Sequence, residues 1–327
     1  MLHALVLRSS WTAPVTLPSA DRPVHASAAS PTRTTPSASA RRGALGPVGL
    51  VLAGGISVQF GGALAVSLMP RAGALGVVAL RLAVAALVLL VVCSPRLRGH
   101  SRTDWGTVVV FGITMAAMNG LFYQSVARIP LGLAVTLEVL GPLALSVLAS
   151  RRAVNLVWAG LALCGVFLLG GGGGGGFGDL DPVGVAFALS AGAMWAMYIV
   201  FSARTGRRFP QADGLALAMA VAAVLFLPLG VIESGTRLLD PTTMALGAAV
   251  AVLSSVLPYT LELLALRRLP ASTFAVLMSL EPAIAATAGF LILNQTLSMT
   301  ESLAIALVIG ASMGAVRTQV GRGKANR

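Results

Sequence analysis

The chain has 327 residues, of which 56% are hydrophobic and 10% charged, and it carries a formal net charge of +12. So little charge over so long a chain is typical of a membrane protein, because each helical span of a bilayer needs about 20 apolar residues. The basic residues are spread over short segments, whereas a nucleic-acid-binding domain gathers them on one soluble face. Composition therefore predicts a lipid bilayer around the chain and no nucleic-acid partner.

The first 46 residues differ from the rest of the chain. They are rich in Ala, Ser, Thr and Pro, and Asp21 is their single acid. Such a segment buries too little apolar surface to order itself, so residues 1–46 are expected to form a disordered cytoplasmic tail. An organellar transit peptide and a wrongly assigned start codon are the alternatives. The use of 22 Arg against one Lys favours a GC-rich bacterial genome, and therefore a bacterial inner membrane.

Ten apolar stretches follow this tail, and each is long enough to be interpreted as a membrane-spanning helix. They cover residues 48–68, 74–92, 105–126, 132–150, 155–170, 182–203, 214–232, 243–264, 272–293 and 301–316.

An internal repeat divides these stretches into two groups. Ile129-Pro130 and Gly141-Pro142 recur 140 residues later as Leu269-Pro270 and Glu281-Pro282. Five spans in each copy require the second copy to enter the bilayer in the opposite sense, as in many secondary transporters. The sequence therefore predicts an all-α polytopic membrane protein with ten transmembrane helices in two inverted five-helix repeats, residues 47–170 and 182–316.

The basic residues indicate the orientation of these spans. If both termini are cytoplasmic, all but four of the 23 Lys and Arg lie on the cytoplasmic side. The positive-inside rule therefore favours cytoplasmic termini, with residues 317–327 as a basic cytoplasmic tail. Residues 171–181, which contain most of the run Gly170–Gly176, are then expected to form a flexible external linker between the repeats.

Cofactor and metal motifs are missing from the sequence. All three His residues lie outside the predicted spans, and the two Cys residues do not suggest a disulfide framework. The Gly170–Gly176 run lacks the Lys-Ser/Thr pair that opens the helix of a phosphate-binding loop. We expect neither a bound cofactor nor ATP as the energy source.

Ionisable residues inside apolar spans are the best candidates for function, because a charge in the bilayer core is costly and usually faces a cavity or a partner. Arg81, Glu138, Glu262 and Glu281 are in this position. Glu138 lies 13 residues before Arg151, and Glu281 lies 13 residues after Arg268. Both acids are thus predicted about 20 Å along their helices from the cytoplasmic edge. Glu262 is equally well explained by a structural pair with nearby Arg267.

Polar and aromatic residues accompany these charges at helical spacing, which places each group on one helix face. The groups are Asn119 with Tyr123, Trp195 with Tyr198, and Ser255 with Tyr259 and Glu262. Hydrogen bonding between helices explains any one of them, whereas a shared cavity explains all. The candidate substrate-binding residues are Arg81, Asn119, Tyr123, Glu138, Trp195, Tyr198, Tyr259 and Glu281, with Glu138 and Glu281 as the candidate proton-coupling residues.

Two segments around the acids resemble a known family. The run from Ile129 to Pro142, IPLGLAVTLEVLGP, is similar to the fourth-span signature of EamA-type members of the drug/metabolite transporter superfamily. Leu261-Glu262, Arg268-Leu269-Pro270 and the run MSLEPA from Met278 resemble its threonine/homoserine exporter branch. The resemblance covers about residues 47–316 and implies two inverted five-helix repeats around a central cavity that contains Glu138 and Glu281. It also implies proton-driven efflux of small amino acids. The chain departs from the family pattern at Asn294-Gln295, where Gly-Glu is common, so any capping of the tenth span by that acid is lost or altered.

Together these observations predict a transporter that exports small neutral amino acids, or related metabolites, by alternating access. Arg81 suits the carboxylate of such a substrate, and Glu138 or Glu281 suits its ammonium group or a proton. A metabolite importer and a multidrug efflux protein of the same fold are the alternatives. An intramembrane enzyme is a more remote one, because no catalytic cluster is visible within the spans.

Overall fold

The protein is described by a computed structural model over residues 38–150, 153–169, 180–209, 213–266, 269 and 271–325. The described residues form helices and connections, with no strand among them. The predicted tail up to residue 37, the Gly170–Gly176 run, Arg151, Arg267, Arg268 and Pro270 lie outside the described residues.

The helices, in chain order, are α1 (Ala38–Cys93), α2 (Arg102–Val126), α3 (Leu131–Glu138), α4 (Leu140–Ser150), α5 (Ala153–Leu169), α6 (Pro182–Gly206), α7 (Asp213–Ser234), α8 (Pro241–Ala251), α9 (Leu257–Leu266), α10 (Ala271–Met278), α11 (Glu281–Leu293) and α12 (Met299–Ala325). A short 3₁₀ helix, Gly235–Leu239, connects α7 to α8, and a turn of π helix, Val252–Val256, connects α8 to α9.

Six helical segments among the described residues are long and apolar enough to cross a membrane. They are Gly46–Cys93, Arg102–Val126, Pro182–Gly206, Asp213–Leu239, Val276–Leu293 and Met299–Arg317. Shorter apolar helical segments cover Leu131–Leu145 and Pro241–Val256. A helical, multi-pass membrane protein is therefore confirmed, while the count of ten spans and the inverted repeat stay predictions.

Helix α1 contains a kink at Gly73, between the first two predicted spans. Gly73 has φ 64° and ψ 170°, a conformation that only glycine adopts readily. The Glu233 carboxylate accepts hydrogen bonds from the Leu75 and Gly76 backbone amides at 2.6 and 3.0 Å. The Ser234 hydroxyl donates to the Ala72 carbonyl on the other side of the kink. The end of α7 thus satisfies backbone groups that the kink removes from the α1 ladder.

Two helix breaks lie beside the intramembrane acids. Helix α3 ends at Glu138 and α4 begins at Leu140, while α10 ends at Met278 and α11 begins at Glu281. The interruptions at residues 139 and 279–280 are related by the 140-residue offset of the sequence repeat. Pro142 and Pro282 follow them, and neither has an N–H to continue the preceding helix.

Small residues bring the helices around these breaks close together. A Cβ at Gly141 of α4 would overlap the Gly192 carbonyl oxygen of α6. A Cβ at Gly132 of α3 would lie 2.8 Å from the Ala286 Cα of α11. Small residues at such contacts let helix backbones approach in a membrane, where van der Waals packing drives association.

Two helices extend beyond the predicted spans. Helix α1 begins at Ala38, within the segment that the sequence predicts as the N-terminal tail. Helix α12 continues to Ala325, beyond the predicted end of the last span at residue 316. Residues 317–325 of this extension belong to the segment that the sequence predicts as a basic tail.

Candidate functional site

A cavity of about 500 Å³ contains most of the predicted site residues. Its wall includes Arg81, Asn119, Tyr123, Glu138, Trp195, Tyr198 and Glu281. These residues come from α1, α2, α3, α6 and α11, so the cavity is assembled from segments far apart in sequence. The structure thus brings seven of the eight candidates together, while their role in substrate binding stays a prediction.

Arg81 is held on one wall of this cavity by groups from two other segments. Its Nη1 donates to the Tyr123 hydroxyl at 3.2 Å, and its Nη2 donates to the Ser254 carbonyl at 3.3 Å. Its Nε lies 3.5 Å from the Ser255 hydroxyl. The guanidinium also lies over the Tyr123 ring, 5.6 Å from the centroid, in a cation–π contact.

This arrangement leaves part of the guanidinium available. A guanidinium carries five N–H groups, and the three contacts of Arg81 use one on each nitrogen. With the described residues alone counted, one N–H on each of the two terminal nitrogens therefore remains. A carboxylate binds Arg through two parallel N–H···O bonds, so the two remaining groups match that requirement in number.

Glu138 is the last residue of α3 and lies on the cavity wall with its side chain partly accessible. Within the described part of the chain, no ion pair within 4.0 Å joins it to Arg81. The cavity thus holds a cation and an acid that do not neutralise each other directly. A polar ligand placed between them can contact both.

Glu281 is the first residue of α11 and is only 7% exposed. The N-terminus of a helix carries partial positive charge, which favours a carboxylate at this position. Glu138 and Glu281 thus occupy opposite helix ends, since Glu138 closes a helix and Glu281 opens one. The two acids meet different local electrostatics although the sequence predicted comparable depth for them.

The uncharged candidates occupy the remaining wall. The Asn119 amide nitrogen donates to the Met115 carbonyl at 2.9 Å, and Asn119 lines the cavity. The Tyr198 ring packs 5.2 Å from the Phe111 ring, and Trp195 lines the cavity one turn before it. The backbone of Tyr259 and Glu262 lies in α9, but their side chains are outside what the structure describes.

Several polar residues of the cavity were not among the sequence candidates. They are Gln59, Ser254, Ser279 and Ser312. The Ser312 hydroxyl is buried and has no hydrogen-bond partner in the part of the chain that the structure describes, so it can bind a ligand or a water molecule. Gln59 could have been found from the sequence, because it is the single amide side chain in the predicted first span. The serines carry no comparable signal, since serine is common at helix contacts in membranes.

The lining of the cavity includes residues near the cytoplasmic end predicted for the last span. Its lining includes Leu143 of α4 together with Ala315 and Val316 of α12, next to Arg317. Toward the opposite end, the Gln295 side-chain oxygen accepts from the Leu131 amide at 3.0 Å and joins the residues after α11 to the start of α3. The Gly132–Ala286 contact lies on the same side of the acids.

Gln295 is one half of the departure noted at Asn294-Gln295. It caps α3 rather than α12, while Asn294 takes the left-handed conformation, with φ 54°, that ends α11. Helix α12 has its own cap, because the Ser298 amide donates to Glu301 at 2.7 Å and the Glu301 amide donates to Ser298 at 3.2 Å. The tenth predicted span therefore keeps an acidic cap from its own first turn.

Comparison with known proteins gives the family. The sequence model of the EamA-like transporter family matches residues 182–317. The chain is 42% identical over 273 residues to the threonine/homoserine exporter RhtA of Escherichia coli K12, covering 83% of this chain and 92% of that protein. RhtA of Salmonella typhimurium LT2 gives the same identity and coverage. An uncharacterized transporter of Bacillus subtilis, YwfM, is 27% identical over 218 residues, covering 63% of this chain and 71% of that protein.

One crystal structure supports the fold alone. It is 22% identical, covers 84% of this chain and 98% of its own, and superposes with a TM-score of 0.55. The family assignment rests on the sequence identity to RhtA over most of both chains, together with the match of the EamA-like model to residues 182–317. The chain belongs to the EamA-like transporter family, in the branch that contains RhtA.

Proposed function

We propose that this protein is a secondary transporter that exports small neutral amino acids of the threonine and homoserine type from the bacterial cytoplasm in exchange for protons. The observation that carries the proposal is the cavity in which Arg81 faces the same space as Glu138 and Glu281. The named activity of RhtA, with 42% identity, supports the substrate class. The family relation argues against an enzyme.

The substrate is recognised through both of its charges. A zwitterionic amino acid needs a cation for its carboxylate and an anion for its ammonium group once water is removed. The two remaining N–H groups of Arg81 bind the carboxylate, and the Tyr123 hydroxyl holds the guanidinium in place. Glu138 or Glu281 binds the ammonium group from the other side of the cavity.

Proton exchange is supported by the charged residues of the cavity. Among the described residues that line it, two acids, Glu138 and Glu281, accompany one base, Arg81. A proton and the ammonium group of a substrate both bind a carboxylate, and in a site of low dielectric constant the two compete for it. Competition for one carboxylate gives antiport directly. We assign this exchange to Glu138 and Glu281, without dividing the steps between them.

Alternating access requires the two halves of the chain to move against each other. The helix breaks at residues 139 and 279–280, which share the repeat offset, support two five-helix repeats in opposite orientation. Cytoplasmic termini, which the basic residues favour, place Ala315 and Val316 of the cavity wall near the cytoplasmic side. In the outward-facing state, α3 and α11 separate and the Gln295 to Leu131 hydrogen bond breaks.

Amino-acid pools test the proposal in cells. We expect cells that overproduce the protein to hold less intracellular threonine and to release more than cells that lack it. Glu138→Gln or Glu281→Gln keeps the size of the side chain and removes its titration, so each variant should abolish proton-driven export. Glu301→Gln is the matched control, because Glu301 lies outside the cavity and Gln also serves at this capping position.

Two results would contradict the proposal. One is an equal threonine pool in cells with and without the protein. The other is wild-type export, with unchanged pH dependence, in both single Gln variants and in the double variant. The second result would assign the two acids to helix packing.

A further inference from the structure

Pro258 lies on the cavity wall, four residues after Ser254, whose carbonyl holds Arg81. In an α helix the carbonyl of residue 254 accepts from the N–H of residue 258, and in a π helix the carbonyl of residue 253 does so. The π turn Val252–Val256 shows the second register, since the Leu257 amide donates to the Val252 carbonyl. Proline has no N–H, so Pro258 can serve neither the Leu253 nor the Ser254 carbonyl.

Side chains of α1 occupy both of these carbonyl groups. The Ser57 hydroxyl donates to the Leu253 carbonyl at 2.6 Å, and Arg81 Nη2 donates to the Ser254 carbonyl at 3.3 Å. Gly61 allows the close approach, because a Cβ there would lie 3.0 Å from the Ser254 nitrogen. Pro258 withholds one N–H and the π turn shifts the register by one residue, so two neighbouring carbonyls are open here, and two donors from α1 meet them.

We propose that Pro258 is a positioning residue for Arg81. Because Pro258 has no N–H, the Ser254 carbonyl is free to accept from Arg81 and to fix the position of its guanidinium. The remaining N–H groups of Arg81 then point to one carboxylate in the cavity. The proposal deepens the proposed function and rests on it for one point, namely that this carboxylate belongs to the transported amino acid.

The sequence repeat explains why the device occurs once. At the 140-residue offset, Pro258 corresponds to Met118 and Arg81 corresponds to Val221. Met118 lies within regular helix α2 and has an N–H for the carbonyl four residues before it. At these corresponding positions, therefore, the second half supplies the open carbonyl and the first half supplies the arginine. A substrate with one carboxylate needs this asymmetry in a site built from two copies.

Restoring the missing N–H tests the proposal. Pro258→Ala supplies a backbone donor that, in the α-helical register of α9, competes with Arg81 for the Ser254 carbonyl. We expect the KM for threonine to rise about tenfold, with kcat within about twofold, because one hydrogen bond to a charged group is weakened. Inhibition by threonine amide, which has no carboxylate, should keep its wild-type constant. Pro228→Ala is the matched control, since Pro228 also lies inside a membrane helix but is exposed away from the cavity.

A chemical measurement on purified protein makes the test independent of transport. Phenylglyoxal reacts with guanidinium groups, and peptide mass spectrometry resolves the adduct at Arg81. We expect faster modification of Arg81 in Pro258→Ala than in wild type, and no change in Pro228→Ala. Pro258→Val supplies the same N–H with three side-chain carbons, as many as proline has, and it serves as the second variant if Pro258→Ala does not insert.

The outcomes separate this inference from the proposed function. Unchanged Arg81 reactivity in both Pro258 variants overturns the inference, and so does an equal loss of affinity for threonine and its amide. If Arg81 is modified faster in the Pro258 variants but the wild-type protein does not transport threonine, the positioning role stands and the proposed substrate is wrong.

Discussion

Replacement of Arg81 by lysine keeps the positive charge of the cavity and removes the planar fork of donors. Lysine is a compact point charge, so it cannot bind Tyr123, Ser254 and a carboxylate in one fixed plane. The variant therefore distinguishes a site that needs only charge from a site that needs the geometry of a guanidinium.

The size of the effect follows from the contacts. Arg81 presents two remaining N–H groups to the substrate carboxylate, and lysine keeps at most one equivalent hydrogen bond. A hydrogen bond to a charged group contributes about 1.5–3 kcal/mol. Since about 1.4 kcal/mol corresponds to a factor of ten, Arg81→Lys should raise the KM for threonine about 10- to 100-fold.

Initial rates of threonine transport in reconstituted vesicles, measured over a range of concentrations, give this KM. Arg128→Lys is the control, because Arg128 pairs with Asp181 at 3.6 Å and both side chains are about a third exposed. An exposed ion pair contributes little, so the control should stay within about twofold of wild type. A KM for Arg81→Lys that is also within twofold would refute the proposed contact with the carboxylate.

Two further predictions concern orientation and packing. In a variant without the native Cys93 and Cys164, single cysteines are placed at the exposed positions Thr236 and Gly206. A membrane-impermeant reagent added outside should label the cysteine at 236 and not the one at 206. The reverse pattern would overturn the cytoplasmic placement of the termini. Gly141→Ala should destabilise the protein by about 1–3 kcal/mol or more, since the new Cβ meets the backbone of Gly192, whereas Gly206→Ala has open space. Thermal unfolding in detergent measures the difference, and equal midpoints would contradict the close contact.

Much of the fold could be predicted from hydropathy, because a bilayer requires long apolar segments and backbone groups satisfied within helices. Pro70 and Gly73 separate the first two predicted spans, and the structure places the kink of α1 at Gly73. Hydropathy did not predict the extension of α12 to Ala325, because a helix can continue beyond its apolar segment through its own backbone hydrogen bonds. The sequence repeat did not predict at which residues the helices beside Glu138 and Glu281 end and begin, since a helix can continue past a proline with a kink.

The candidate site was predictable where the signal was the cost of a polar group in an apolar segment. Arg81, Glu138 and Glu281 were found in this way, and they line one cavity. The contact between Arg81 and the Ser254 carbonyl could not be predicted, because it joins residues 173 positions apart and depends on how α1 packs against the π turn. Pro258 marks the open carbonyl in the sequence, but only packing shows which donor reaches it.

Transport driven by an imposed proton gradient tests the central claim most directly. Purified protein is reconstituted into vesicles that are acidic inside, with the membrane potential clamped by potassium and valinomycin, and labelled threonine is added outside. The account predicts accumulation above the external concentration, abolished by a protonophore and absent in the Glu138→Gln, Glu281→Gln double variant. Threonine uptake that is the same with and without the pH gradient would contradict proton exchange, and no uptake in either condition would contradict the proposed substrate.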